Sequence, residues 1–111
     1  MKHEEYELQC KVVEQLRKWG MVVFSIPNER NLGVSDSVRM RASGLTKGAP
    51  DLVCWARNGK CWWLELKTTK GVRSQEQLCM EHLADDIKVG YMVVRSLDDI
   101  KDIEYWASPV L

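Results

Sequence analysis

Lys47-Gly48-Ala49-Pro50-Asp51-Leu52-Val53-Cys54-Trp55-Ala56-Arg57-Asn58-Gly59-Lys60-Cys61-Trp62-Trp63-Leu64-Glu65-Leu66-Lys67 is the stretch whose reading decides the fold. Asn58-Gly59 is a hairpin signal between two runs of strand character, residues 51–56 and 61–67. Side chains alternate along a strand, so Leu64 and Leu66 enter a core while Glu65 and Lys67 leave the opposite face together. A carboxylate and a lysine on an otherwise apolar strand need partners, because neither is normally buried alone. Taken by themselves they read as a cross-strand ion pair. Pro50-Asp51, at the head of the partner strand, offers a second carboxylate.

Whether Asp51 joins Glu65 depends on the turn. A two-residue type I′ turn at Asn58-Gly59 pairs Arg57 with Lys60 and sets Asp51 opposite Leu66, on the wrong face. A type I turn centred on Arg57-Asn58, with Gly59 as a left-handed bulge, pairs Ala56 with Lys60 instead. Asp51 then lies across from Glu65 and Leu52 across from Leu64. Apolar-to-apolar pairing favours this second register, and the bulged turn is predicted. Two neighbouring carboxylates repel unless a cation lies between them. Hard oxygen ligands favour Mg²⁺, with Mn²⁺ as substitute, held through one or two carboxylates, waters and a substrate phosphate. With Lys67 beside them to neutralise developing charge, the set suits phosphodiester hydrolysis.

Outward from the hairpin, Leu8, Val12, Leu16 and Trp19, with Val13 alongside, recur at helical spacing over residues 4–19, and Gly20 marks a stop. Residues 21–26 read as a strand ended by Pro27. Residues 27–49 hold three glycines and weak periodicity, so they read as a long loop. Ser74 opens a helix to about Lys88, ended by Gly90, and a short strand follows at 91–95. Ser96 with Asp99 forms a capping box on a last short helix, whose first turn Asp98 and Asp99 favour. The order αβββαβα predicts one α/β domain over residues 1–111.

Composition narrows the partners. The chain has 111 residues, 16 Lys+Arg and 16 Asp+Glu, 45% hydrophobic residues and 29% charged ones, which fits a single folded domain rather than a disordered chain. No apolar run approaches a membrane span and no secretory signal is evident, so a soluble, cytoplasmic protein without membrane association is expected. The zero net charge conceals a division: −1 over residues 1–29, +6 over 30–73 and −5 over 74–111. A basic middle holding only Asp36, Asp51 and Glu65 as acids points to a polyanion. Arg30, Arg39, Arg41, Lys47, Lys70 and Arg73 are the candidate phosphate contacts. Cys10, Cys54, Cys61 and Cys79 lack zinc-ligand spacing and read as small buried hydrophobes.

Pro50-Asp51 followed by Glu65-Leu66-Lys67 resembles the PD-(D/E)XK nuclease signature, and the surrounding pattern resembles its VRR-NUC branch, the virus-type replication-repair nucleases. The matching pieces are Glu5-x-x-x-Gln9, Ile26-Pro27-Asn28-Glu29, Lys47-Gly48-Ala49-Pro50-Asp51, Glu65-Leu66-Lys67 and Gly71-x-x-Ser74-x-x-Gln77. The resemblance implies a restriction-endonuclease-like core of αβββαβ order, a mixed four-stranded sheet flanked by helices. It implies Asp51 and Glu65 as metal ligands, the Leu66 carbonyl as a backbone ligand and Lys67 as catalytic lysine. A first-helix Glu joins the metal in such proteins, with Glu5 the nearest match and Glu4 and Glu7 as alternatives. Gln9, one turn on, can face the same site. Gln77 has two roles open to it, near the lysine and phosphate or in a capping box with Ser74, whose helix start also attracts phosphate.

The expectation is therefore a metal-dependent, structure-selective DNA endonuclease. A small domain has little surface for reading sequence, so DNA shape is the expected signal. Stand-alone members of the branch resemble Holliday-junction resolvases, which implies a homodimer cutting a four-way junction, in recombination or repair, with viral or mobile-element origin in view. A flap or single-strand nuclease is the alternative enzyme. A non-catalytic nucleic-acid-binding module on the same fold is the alternative class, and it leaves the two facing carboxylates without purpose.

Overall fold

The structure, a computed structural model, describes residues 2–27 and 34–107, excluding the side chains of Lys2, His3, Val34, Ser37 and Met40. The elements run α1 (Lys2–Lys18), β1 (Val22–Ser25), α2 (Val34–Ala42), β2 (Leu52–Trp55), β3 (Cys61–Leu66), α3 (Gln75–Asp86) and β4 (Gly90–Val94). A 3₁₀ turn at Leu97–Ile100 runs into α4 (Lys101–Glu104). The sheet order is β1-β2-β3-β4, antiparallel at the first two junctions and parallel between β3 and β4. Parallel neighbours need a long crossover, which α3 and its flanking loops supply. The expected mixed four-stranded α/β architecture is what the chain adopts. None of its described helices is long and apolar enough to cross a membrane.

The two sheet faces differ in chemistry. Val23, Leu52, Cys54, Trp62, Leu64, Leu66 and Val94 form the core face, covered by Val12 and Leu16 of α1 and by Ile100 and Ile103 near the C-terminus. The helical spacing of Leu8, Val12 and Leu16 is thus a docking stripe. Gly20 ends α1 with a left-handed φ of 80°, and Met21 N–H donates to Leu16 C=O at 2.9 Å. On the opposite face, Phe24 packs edge-on against Trp55 with ring centroids 5.8 Å apart, and Trp63 and Glu65 stand on the neighbouring strand.

The hairpin takes the bulged register. Leu52 pairs with Leu64 and Trp55 with Cys61, Ala56 N–H donates to Lys60 C=O at 2.8 Å, and Gly59 takes φ 95°. Asn58 reinforces the turn by accepting from Lys60 N–H at 3.1 Å.

Three expectations need correction. Residues 27–49 are not loop throughout, because Val34–Ala42 is helical. Ser35, Asp36, Val38, Arg39 and Arg41 of α2 are all exposed, so these described positions carry no buried period for the sequence to display. The helix opened by Ser74 ends at Asp86, and Gly90 is not its stop. Lys88 takes the left-handed turn at φ 66°, while Val89 N–H donates to Ala84 C=O at 2.8 Å. Gly90 instead begins β4 because a Cβ there would lie 2.4 Å from Trp62 Cδ1. Of the cysteines, Cys54 is buried and Cys61 half-buried, but Cys10 and Cys79 are exposed on outer helix faces.

Two predictions follow from this packing. Gly90→Ala forces the Trp62 indole or the strand to move, and a loss of about 2 kcal/mol or more is expected in urea unfolding. Burial, with Cys61 as a secondary influence, pushes the Cys54 thiol up to about 12 from an ordinary 9.0. The unfolded chain therefore loses this proton before the folded one, and stability falls as pH rises above 9 towards 12. Melting temperature measured across that range declines less steeply in Cys54→Ala.

Candidate active site

The bulged hairpin brings Asp51 against the Glu65-Leu66 peptide. Asp51 immediately precedes β2, with its C=O accepting from Ile26 N–H and its N–H donating to Leu64 C=O, both at 2.9 Å. Its carboxylate accepts from Leu66 N–H at 2.7 Å, so Asp51 is braced against the Glu65-Leu66 peptide. The C=O of a strand residue leaves the same edge as its N–H, which directs the Leu66 carbonyl towards Asp51 as well. Lys67 continues the ladder, donating its N–H to Val94 C=O at 2.9 Å. Its side chain is half-buried beside Gly71 and makes no ion pair with any described residue.

Glu65 is buried to 1% exposure, on the face opposite the core. Three side-chain bonds converge on its Oε1: Arg73 Nη2 at 3.1 Å, Arg73 Nε at 3.2 Å and the Tyr91 hydroxyl at 2.6 Å. Oε2 accepts from Arg73 Nε alone, at 3.2 Å. Arg73 also reaches Glu81 of α3 at 2.8 Å and stacks over the Tyr91 ring at 5.6 Å. Burial works against the charge on Arg73, but its bonds to Glu65 and Glu81 outweigh that and hold its pKa above the ordinary guanidinium value. Burial first, and Glu65 second, raise the Tyr91 phenol well above its usual range, so it stays a proton donor.

The approach to Asp51 is fixed from behind. Gly48 takes φ 81°, and a Cβ there would come within 2.6–2.8 Å of Glu76 in the first turn of α3. Only glycine permits the loop to lie that close. At the same helix start, Ser74 Oγ accepts from Gln77 N–H at 3.1 Å and Gln77 Oε1 accepts from Ser74 N–H at 2.8 Å. Of the two roles open to Gln77, the structure displays the cap. Arg95 organises the loop that carries Arg73, donating from Nη1 to Thr68 C=O and Gly71 C=O, each at 2.8 Å.

The remaining sequence candidates do not gather here. Among the described residues, no three His, Cys, Asp or Glu side chains assemble into a metal-holding group, so neither Glu5 nor Glu4 or Glu7 completes a set with Asp51 and Glu65. Glu4 and Glu5 occupy the first turn of α1, where acidic groups favour the helix. Gln9 lines a shallow depression with Cys10, Val13, Glu14, Arg17 and Lys18 of the same helix, which departs from the shared site expected for it. Arg73 is engaged by Glu65 and Glu81 rather than presented as a free phosphate contact. Lys47 lies 4.0 Å from Glu76, Arg39 pairs with Asp36, and Arg41 and Lys70 are exposed. Asn28, Glu29 and Arg30 fall outside the described residues.

Sequence reasoning missed the service that Arg73, Tyr91 and Arg95 give to Glu65 and its loop. Tyr91 and Arg95 depend on a parallel register, Glu65 beside Val93, that no turn between the strands announces. The odd spacing of a buried Glu with an Arg eight residues on is the one available signal.

Two solved structures share this architecture. One, described as "VRR_NUC domain", superposes with a TM-score of 0.67 at 20% identity, covering 90% of this chain and 92% of its own. The other, a "VRR_NUC domain protein", gives 0.72 at 16% identity over 93% and 87%. The chain has the VRR-NUC fold. No family model and no curated protein sequence matches it. The VRR-NUC likeness therefore rests on shape, which matches over nine-tenths of the chain.

Gly48→Ala should cost about 2–4 kcal/mol, from the clash with the α3 backbone added to the positive φ. Urea midpoints check the loss, and faster amide exchange at Gln77 would show that the loop and helix start had separated.

Proposed function

We propose that this chain is a divalent-metal-dependent DNA endonuclease of the PD-(D/E)XK type. The observation that carries the reading is the bracing of Asp51 on the Leu66 N–H, one peptide from buried Glu65 and directly before Lys67. The donor set fits a small hard cation. Asp51, the Leu66 carbonyl and Glu65 are all oxygen donors, and Glu65 Oε2 accepts a single bond, so it retains a lone pair. Two carboxylates without a third are also what Mg²⁺ takes when water and substrate phosphate complete its shell. When bound, Mg²⁺ or Mn²⁺ would lower the pKa of a water and stabilise charge on the phosphate.

The chain's own residues then have separable roles. Asp51 is oriented by its bond to the Leu66 N–H, and Glu65 by the Tyr91 hydroxyl. Lys67, without an ion-pair partner among the described residues, offers its ammonium to the nucleophile or to the developing charge. Exposed Lys47 and Lys70, close in sequence to Asp51 and Lys67, would meet the DNA backbone. Among DNA substrates, the four-way junction comes first, because a small domain reads shape more readily than sequence. Symmetric incision of two strands asks for a two-fold pair of active sites, hence a homodimer.

The test is cleavage of a labelled four-way junction beside matched duplex, flap and single-stranded DNA, with Mg²⁺, Mn²⁺ or EDTA. Symmetric, metal-dependent nicking of the junction is expected. Asp51→Asn and Lys67→Ala should each lower the rate by about 10²-fold or more while leaving the fold intact. Cleavage of another structure would retain the nuclease and remove the junction. Salt-sensitive binding without turnover under either metal would replace both by a binding module.

A further inference from the structure

We infer that Arg73 is the resident counter-cation of Glu65, and that a divalent ion must displace it from the carboxylate to load the site. The inference rests on the reading of Asp51 and Glu65 as the ion's ligands. Glu65 is the one charged side chain buried among the described residues, and a buried carboxylate needs a compensating charge. Arg73 supplies it through bonds of 3.1–3.2 Å to both oxygens. A divalent ion approaching the same carboxylate meets a guanidinium already there, and two cations beside one buried anion repel strongly. The metal and Arg73 therefore compete.

Arg73 also has somewhere to go. Its Nη1 holds Glu81 of α3 at 2.8 Å, and the Glu81 side chain is 46% exposed. The guanidinium can stay anchored there while its Nε–Nη2 edge leaves Glu65. Tyr91 keeps its 2.6 Å bond to Oε1 through the exchange, so the carboxylate retains its orientation when the cation changes. In the free protein the pair holds the site closed to weakly bound ions. A purely structural ion pair would sit in the same place but would not respond to metal, and that difference is measurable.

The experiment measures Mn²⁺ binding to the DNA-free protein through the electron paramagnetic resonance of the unbound aquo ion. Wild type, Arg73→Gln, Arg73→Lys and Asp51→Asn are compared at fixed pH and salt. Arg73→Gln should bind Mn²⁺ about tenfold tighter than wild type. Arg73→Lys, which keeps the charge, should stay near wild type, and Asp51→Asn should lose binding. The melting temperature of Arg73→Gln should start lower and rise more with Mn²⁺. On wild type itself, the Arg73 Nε–H resonance should shift and exchange faster with water as Mg²⁺ is added. If wild type binds Mn²⁺ through Asp51 and folded Arg73→Gln binds no tighter, or if the Nε–H signal ignores saturating Mg²⁺, the inference is overturned while the ligand reading stands. If neither wild type nor Arg73→Gln binds Mn²⁺, both fail.

Discussion

The ion pair between Glu65 and Arg73 is the interaction to which the rest of the site is fitted. Glu65 lies in β3, flanked by β2 and β4, with 1% of its surface exposed, where an uncompensated carboxylate would cost several kcal/mol. Satisfying it requires an arginine delivered by the loop after β3 and a hydroxyl delivered by β4. Each is present: Arg73 bonds both oxygens, Tyr91 bonds one, and α3 contributes Glu81 to the far side of the guanidinium. A binding surface for a polyanion has no use for such a buried acid. A cation site does.

The second constraint is the turn. Gly59 in the left-handed region moves the β2–β3 pairing by one residue relative to a two-residue hairpin. That single step decides which face Asp51 shares. With the bulge, Leu52 meets Leu64 in the core and Asp51 meets the Glu65-Leu66 peptide. Without it, the carboxylate would face the apolar side and both the core and the site would be lost. Core packing and the bond from Leu66 N–H to Asp51 therefore select the same register.

What was legible in the sequence follows from how local each determinant is. The bulged turn, the α1 docking stripe and the two capping boxes rest on residues within a few positions of one another, and the structure shows all of them. Helix α2 was not legible, since Ser35, Asp36, Val38, Arg39 and Arg41 are exposed polar or isolated positions that mark no period. Gly90 misled for a different reason: its glycine answers to the Trp62 indole across the sheet, not to the helix before it. Glu5 came from resemblance alone, and the described structure does not bring it to the other two acids. The tertiary partners of Glu65 were out of reach, since the β3–β4 register is set by the crossover as a whole.

That crossover explains why the site is assembled from its two ends. Arg73 immediately precedes the Ser74 cap at the start of α3, and Tyr91 follows five residues after the helix ends at Asp86, in β4. Parallel pairing places β4 against β3, so both ends of the excursion return to the same carboxylate. Arg95, one residue past β4, then ties the outgoing loop back through Thr68 and Gly71. An antiparallel hairpin at this position would pair neighbours in sequence and leave no excursion to enclose the acid. The mixed sheet serves both requirements: its antiparallel half sets Asp51 by turn geometry, and its parallel half surrounds Glu65 with groups drawn from residues 73 to 95.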